Sequence, residues 1–380
     1  MTKNTITTLT TYTDQSEYER FSVSKIKTYK ECSEMFKLKY IDKLDVYHQS
    51  TATLVGTLLH SSLEYLYSIE DDEVNNAQDA FFKILPIEFG KLGIVSIESI
   101  LGDLLDYHQD INNLYKRASA SYKGIDAIRT GKGEVPKAPE MTGIWKAECK
   151  RLKLEQRKDL IDYTIQNSKS GLESVSITDV FTRAFNLASN YNTPDAFEEI
   201  LYLELPLSEW DRNTNTLINA VPFPGATHKD IYLNGFIDNI AVVNVNGKKF
   251  NAVIDYKTSK EIFNDSIVEH NQQLLIYAAG AEHILNIPID YIGILSLLKG
   301  DLILVPVDKE LQNEVIKGFN QVIDKALGKE FTKHYPDSKY SNCLNSFGGA
   351  CPFLKNCWPK SFDYLNKNKL EDDFFKEIMN

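Results

Sequence analysis

Two carboxylates and a lysine lie close together in one predicted β-hairpin. Asp238 follows Gly235-Phe-Ile, while Asp255 and Lys257 belong to the run Ala-Val-Ile-Asp-Tyr-Lys257. Between these segments stands Asn246-Gly247, the dipeptide that most favours a two-residue type I′ turn. If those two residues form the turn, residue 245 pairs with residue 248, and the same register places Asp238 opposite Asp255.

The chemistry of this hairpin points to a bound cation. Like charges that face each other on a sheet destabilise it unless something compensates them, and a divalent cation would do so. Lys257 shares a face with Asp255, because residues two apart on a strand point the same way. Phe236 and Ile237 before Asp238, like the residues before Asp255, are too apolar for a solvated face. We therefore predict a metal site, with a buried ion pair between Lys257 and the acids as the alternative.

The composition is that of an ordinary globular protein. The chain has 380 residues, of which 43% are hydrophobic and 25% charged, so it is long enough for a substantial core. Its net charge of -11 argues against indiscriminate binding to polyanions, and only local charge decides whether a groove accepts a phosphate backbone. No stretch approaches the roughly 18 apolar residues of a membrane span, and the N-terminus lacks an apolar signal core. We expect an intracellular, cytoplasmic protein of bacterial or phage origin without a membrane partner.

Periodicity predicts an α/β protein in which helices precede and follow a mixed sheet. Helices are expected at about 24–44, 57–69, 266–285 and 309–327, and strands at about 200–207, 231–244, 249–257, 292–298 and 302–306. The chain divides into a lead (1–20), N-terminal helices (21–70), a helical insertion (71–195), a core (196–330), a cysteine-containing segment (331–360) and a tail (361–380). The insertion is of the sort that shapes a substrate channel.

Four short motifs occur in a characteristic order. Gly56-x-x-x-His60 on a helix precedes Gly-x-x-Asp238 on a strand, Asp255-x-Lys257 on the next strand, and a Gln-x-x-x-Tyr277 helix. This order resembles the RecB-like branch of the PD-(D/E)XK nuclease superfamily, over about residues 22–358. The resemblance implies a restriction-endonuclease-like sheet core and a metal-dependent nuclease that acts on DNA.

The resemblance also implies a role for each residue of the metal site. Asp238, Asp255 and the backbone carbonyl of Tyr256 would hold Mg²⁺ or Mn²⁺. His60 would add an imidazole ligand, which suits Mn²⁺ better than Mg²⁺. Lys257 would orient or deprotonate the attacking water and offset negative charge in the transition state.

Four further residues are expected around this site. Gln273 and Tyr277 would hold the substrate strand or the site geometry. Glu64, one turn after His60, is a candidate to orient the imidazole from the second shell. Glu204 matches an acid often present on the preceding strand in such nucleases, although a plain charge at a strand end explains it equally well.

The cysteines narrow the resemblance. The segment that ends at Cys32 looks like the first-ligand segment of iron-sulfur RecB-like nucleases, the group of AddB and the CRISPR-associated four-cysteine exonucleases. Cys351-x5-Cys357 resembles their closing pair, and Cys343 supplies a fourth thiolate, after a longer interval than is usual there. Four thiolates suit a 4Fe-4S cluster, although zinc also accepts four cysteines. Such a cluster would act as a structural clasp, and Cys149 is interpreted as an ordinary cysteine.

The leading functional prediction is an exonuclease that acts on single strands or duplex ends, in recombination, repair or phage DNA processing. A structure-specific endonuclease or a CRISPR-type end processor is the alternative with the same chemistry. A non-catalytic DNA-binding assembly subunit is the alternative of another class, and the presence of both aspartates and the lysine argues against it. No Walker A motif occurs in the chain, so any unwinding would come from a separate helicase or recombination partner.

Overall fold

The computed structural model of the protein describes residues 9–11, 19–44, 50–68, 73–94, 97–120, 150–167, 171–211, 216–258, 263–333 and 351–358. Most of the predicted lead, the predicted tail, Cys149 and Cys343 lie outside these residues. Among the helices of the described part, none is long and apolar enough to cross a membrane. The proposed division into domains stays a prediction.

The described helices are numbered in chain order. They are α1 (Val23–Glu31), α2 (Ser33–Phe36), α3 (Thr51–Ser68), α4 (Ala77–Lys91), α5 (Ile97–Ala120), α6 (Leu154–Ile161), α7 (Ile177–Asn190), α8 (Asp265–Glu269), α9 (Gln272–Leu285), α10 (Lys309–Leu327) and α11 (Leu354–Cys357). A π-helical turn, Lys37–Ile41, continues α2.

The described strands form one large sheet and three small ones. The strands are β1 (Leu9–Thr11), β2 (Glu19–Phe21), β3 (Tyr163–Asn167), β4 (Gly171–Val175), β5 (Phe197–Leu207), β6 (Glu209–Asp211), β7 (Thr216–Ile218), β8 (Ile231–Leu233), β9 (Gly235–Val245), β10 (Lys248–Lys257), β11 (Tyr291–Ser296) and β12 (Asp301–Pro306). The large sheet has the order β12-β11-β10-β9-β5. Its β10 and β11 are parallel, joined through α8 and α9, and its other neighbours are antiparallel.

A hydrophobic core covers each face of this sheet. On one face, Ala241, Ala252 and Ile254 pack with buried residues of α3, α4, α5 and α7. On the other, Ile240, Val253 and Ile292 pack with α1, α9 and α10. The mixed α/β prediction is confirmed, with a sheet flanked by helices as in a restriction-endonuclease-like core.

The sequence analysis located most elements of the core to within a few residues. The predicted helix at 24–44 is divided at Cys32, whose backbone is extended and whose sulfur accepts a hydrogen bond from the Met35 N–H at 3.4 Å. A helical pattern does not reveal such a cap, because cysteine fits equally well inside a helix. The prediction of a helical insertion missed the hairpin of β3 and β4.

Candidate active site

The hairpin of β9 and β10 has the register that Asn246-Gly247 predicts. Both turn residues have positive φ, 54° and 79°, as a type I′ turn requires. The register runs without irregularity from Val245 opposite Lys248 to Asn239 opposite Ile254. The regular pairing ends there, one position before the two aspartates.

Asp238 therefore lies where β9 ends its regular pairing with β10, although β9 stays paired with β5. Its Oδ2 accepts a hydrogen bond of 2.8 Å from the backbone N–H of Tyr256. Ile237 and Ile240 belong to the same core cluster, so the alternation of β9 is interrupted between them. This interruption turns the Asp238 carboxylate towards α3. The Asp238 side chain, and not a backbone carbonyl of β9, accepts the hydrogen bond from the Tyr256 N–H.

His60, on α3, meets two of these acids. Its Nδ1 lies 3.1 Å from Oε1 of Glu204 and 3.7 Å from Oδ1 of Asp238. Glu204 belongs to β5, where the pairs on either side of it place it at the level of Asp238. Its φ of 45° is unusual for a residue with a side chain and marks local strain at the site.

The site shifts the pKa values of its groups. The pKa of Asp238 is raised to about 7, chiefly because burial disfavours its charge, with His60 opposing the rise and Asp255 adding to it. Burial lowers the pKa of His60, but the hydrogen bond with Glu204 and the charge of Asp238 outweigh burial, so the pKa is raised overall. A cation at this place would favour the charged carboxylates.

Asp255 is held by two residues of the predicted motifs. Its Oδ2 lies 2.5 Å from Nζ of Lys257, and its Oδ1 accepts a hydrogen bond of 3.3 Å from Nε2 of Gln273. The carboxylate is buried, whereas the side chain of Lys257 is 37% exposed. Gln273 is the second residue of α9, where Asn271 caps the helix. The Gln273 amide thus fixes the Asp255 carboxylate, and the Lys257 ammonium group contacts that carboxylate from a partly exposed side chain.

Tyr277 lies on the same helix, one turn after Gln273, and packs against β9. The backbone of Gly235 has φ of 152°, and a Cβ atom there would lie 2.5 Å from the Tyr277 hydroxyl oxygen. Burial raises the pKa of Tyr277, with the charge of Asp238 adding to the effect. Tyr277 is therefore a neutral side chain that packs tightly against β9, the strand that carries Asp238.

The donor set suits a hard divalent cation. One ligand atom each from His60, Glu204 and Asp238 lies within 4.8 Å of the other two, the one such group of three or more His, Cys, Asp and Glu residues in the described part of the chain. Two carboxylates and an imidazole fit Mn²⁺, and the oxygens fit Mg²⁺. Asp255 is a near neighbour, since its charge acts on both His60 and Asp238.

A cavity of about 880 Å³ opens beside these residues. Its lining comes from α3, the end of α4, and the strands β5, β6 and β9, and consists of Gly56, Thr57, His60, Ser61, Glu64, Lys91, Glu204, Pro206, Glu209 and Phe236. The expectation that Phe236 avoids solvent is wrong, because it is 47% exposed, while Ile237 beside it is fully buried. Apolar character cannot show on which side of a strand an opening lies.

Three of the four predicted cluster cysteines converge. Cys351 Sγ lies 3.9 Å from the sulfur of Met35, whose amide bonds to Cys32. Burial raises the pKa of Cys357 to about 11, and the charges of Cys351 and Cys32 add to the rise. Cys343 lies outside the described residues. The segment 351–358 thus returns to the first helices.

Two implied roles are left as predictions, and one contact was missed. The Tyr256 carbonyl as a ligand and Glu64 as a support for His60 stay predictions, although Glu64 does line the cavity. Asn239 is fully buried, and its amide donates to the Tyr256 hydroxyl at 2.7 Å. A single polar residue after Asp238 was the only sequence signal for this contact.

The fold and site together define a class. A mixed sheet whose hairpin ends in two aspartates and a lysine, with a histidine and a glutamate facing them, is the arrangement of a restriction-endonuclease-like nuclease. A family profile, described as the PD-(D/E)XK nuclease superfamily, matches residues 20–357, so the chain belongs to that superfamily. No curated protein matches the chain.

Proposed function

We propose that this nuclease is a metal-dependent deoxyribonuclease of the RecB-like branch, and that it digests DNA from ends or single strands. The observation that carries the hydrolytic part is the contact of Lys257 and Gln273 with Asp255, beside the group of His60 and Asp238. The preference for ends rests on the resemblance of the four ordered motifs to that branch. Recombination, repair or phage DNA processing, with a separate helicase or recombination partner, is the proposed setting.

Three side chains of the site would hold the divalent cation. Asp238, Asp255 and His60 would hold Mn²⁺ or Mg²⁺, with Glu204 beside them and the Tyr256 carbonyl as a further ligand. A divalent ion held there supplies Lewis-acid polarisation of the phosphodiester.

Lys257 acts on the nucleophile and on the transition state. Its ammonium group is within reach of the buried Asp255 carboxylate and is also partly exposed, so a water between it and the substrate can be oriented. The same positive charge offsets the negative charge that grows on the phosphate oxygens. The hydrogen bond from Gln273 keeps the Asp255 carboxylate in place when the Lys257 ammonium group turns from Asp255 to the water or the phosphate.

The basic test compares wild type with Asp255→Ala, using a labelled linear single strand and either Mn²⁺ or Mg²⁺. We expect the wild type to digest the strand and the variant to lose at least about a hundredfold in rate. Asp301→Ala, an exposed aspartate on β12, is the matched control and should retain full rate. Equal digestion by all three proteins would refute the assignment of the site.

Polarity and the need for an end are tested on the same strand in closed circular form. An exonuclease leaves the circle intact and releases label from one end of the linear strand first. Cutting of the circle at a comparable rate would replace the exonuclease proposal with an endonuclease. DNA binding without any cleavage under these conditions would favour the non-catalytic assembly subunit.

We further propose that Cys32, Cys343, Cys351 and Cys357 ligate a 4Fe-4S cluster that joins the two ends of the chain. The contacts of Cys32 and Cys351 with Met35, and the effect of both cysteines on the pKa of Cys357, support this arrangement. Thiolates are required as ligands, so the raised pKa of Cys357 would be reversed by bound iron.

Anaerobic purification tests the cluster. The wild type should be brown and contain iron and sulfide in equal amounts, and Cys351→Ser should lose most of both. Cys149→Ser is the control and should keep them. A colourless protein that contains zinc would refute the cluster and leave the nuclease site untouched.

A further inference from the structure

Phe236 is an exposed aromatic side chain at a place where the chain otherwise buries its apolar residues. It is 47% exposed, whereas Ile237 and Ile240 on the same strand are fully buried. It lines the same cavity as His60. An aromatic ring that is left open inside a polar cavity offers a flat face to a ligand.

The ring lies next to the carboxylates that would hold the cation. Phe236 pairs with Pro206 across β9 and β5. Both residues line the same cavity as Glu204, two positions from Pro206, just as Asp238 is two positions from Phe236. Two residues along a strand span about 6.6 Å. The apolar pair of Phe236 and Pro206 therefore lies roughly 6.6 Å along the strands from Asp238 and Glu204.

The charge of the cavity favours a base over a phosphate as the neighbour of this ring. Three of the lining residues are the glutamates Glu64, Glu204 and Glu209. The one lysine in the lining, Lys91, forms an ion pair of 2.7 Å with Glu88. Away from a bound cation, these carboxylates repel a phosphate, whereas an uncharged base meets no such repulsion.

The α3 wall of the cavity leaves room for a flat group. Gly56 on α3 lines the cavity, and a Cβ atom built there would meet nothing within 4 Å. The cavity is thus open above the backbone of α3 and apolar beside Phe236 and Pro206.

We propose that Phe236 stacks on a nucleobase of the DNA strand, next to the phosphate that is cut. The assignment rests on the proposed deoxyribonuclease function and specifies its substrate as an unpaired strand, because a base inside a duplex has no free face. Stacking on an aromatic side chain is sequence-tolerant and contributes enough for roughly a tenfold change in affinity per base. Phe236 is a binding residue, and the chemistry stays with the acids and Lys257.

The test measures single-turnover cleavage of a labelled single-stranded oligonucleotide with Mn²⁺, as a function of enzyme concentration. The substrates are the intact oligonucleotide and a series with one abasic position moved along it. For the wild type, one abasic position near the cut should raise the half-saturating concentration about tenfold. Phe236→Ala should raise it about tenfold on the intact strand and show no further loss at that position.

Two variants separate stacking from folding. Phe236→Tyr keeps an aromatic face and should restore both the affinity and the sensitivity to the abasic position. Leu160→Ala removes a side chain that is 85% exposed on α6 and should behave as wild type. Thermal unfolding of each variant identifies any that fail to fold.

Two results would overturn the proposal. One is an unchanged half-saturating concentration for Phe236→Ala, and the other is full abasic sensitivity in that variant. If the wild type cleaves no DNA, the proposed function fails by itself. Fluorescence anisotropy with the same oligonucleotides then tests stacking through binding alone.

Discussion

The hydroxyl oxygen of Tyr277 occupies the space into which any side chain at position 235 would extend. A Cβ atom on Gly235 would lie 2.5 Å from that oxygen and 3.1 Å from the ring carbon that bears it. The glycine of the Gly-x-x-Asp motif and the tyrosine of the Gln-x-x-x-Tyr motif are therefore in direct contact. The contact sets the position of the strand that carries Asp238 against the helix that carries Gln273.

Gly235→Ala should destabilise the protein by about 1–3 kcal/mol, because the added methyl group overpacks the contact and the backbone has positive φ. Activity should fall with it, since Asp238 follows three residues later. Denaturant unfolding and cleavage rates measure the two effects.

A second substitution tests whether the contact is the cause. Tyr277→Phe removes the hydroxyl oxygen, so the double variant should be more stable than the sum of the two single changes predicts. Strict additivity of the two free energies of unfolding would show that Gly235 and Tyr277 act separately.

Gly56→Ala should separate stability from function. Alanine is favoured over glycine in a helix by about 0.5–1 kcal/mol, and the new methyl group meets no protein atom within 4 Å. We therefore expect a higher melting temperature together with slower DNA cleavage, because the methyl group projects into the cavity.

Gly318→Ala is the matched control, since Gly318 lies in α10 and a Cβ there also meets nothing within 4 Å. It should be stabilised to a similar extent and cleave DNA as wild type does. Unchanged cleavage by Gly56→Ala would show that substrate does not approach α3 at this point.

At position 204, glycine should give a more stable protein than alanine, the reverse of the usual order within strands. Its φ of 45° costs a residue with a side chain about 1–2 kcal/mol relative to glycine. Glu204→Gly should therefore be more stable than Glu204→Ala by about 1 kcal/mol, although both lose the hydrogen bond to His60. Chemical denaturation of both variants measures this difference, and a more stable alanine variant would contradict the claim of strain.

The metal-free protein should lose stability as the pH rises from about 4 to about 7. Asp238 has an ordinary pKa of 3.8 and a folded pKa of about 7, so the folded state binds the proton more tightly in this window. The raised pKa of His60 acts in the same direction, since its stabilising effect is lost as the pH passes that raised value.

Bound cation should reverse this trend, because ligands must lose their protons to bind it. We expect Mn²⁺ to raise the melting temperature more at pH 8 than at pH 5.5. Asp238→Asn should show a smaller loss of stability with pH and a smaller effect of Mn²⁺, whereas Asp301→Asn should match the wild type. An Mn²⁺ effect that is equal at both pH values would argue against protonation of Asp238 in the metal-free protein.

The sequence by itself determined the local parts of this protein. Asn246-Gly247 fixed the hairpin register, because two consecutive residues of positive φ allow few other turns. Hydrophobic periodicity located the strands and helices of the core, strand alternation placed Asp255 and Lys257 on one face, and the family resemblance of the ordered motifs added Gln273 to their site.

Tertiary structure alone decided how the site is assembled. Regular pairing does not bring Asp238 to its neighbours; β9 leaves the ladder there, and the carboxylate turns to His60 and the Tyr256 amide. The contact of Glu204 with His60 and the exposure of Phe236 depend on how α3 packs across the strands. The contacts of His60 with Glu204 and Asp238 join residues more than a hundred positions apart, and no local pattern of residue types encodes which face of a strand remains open.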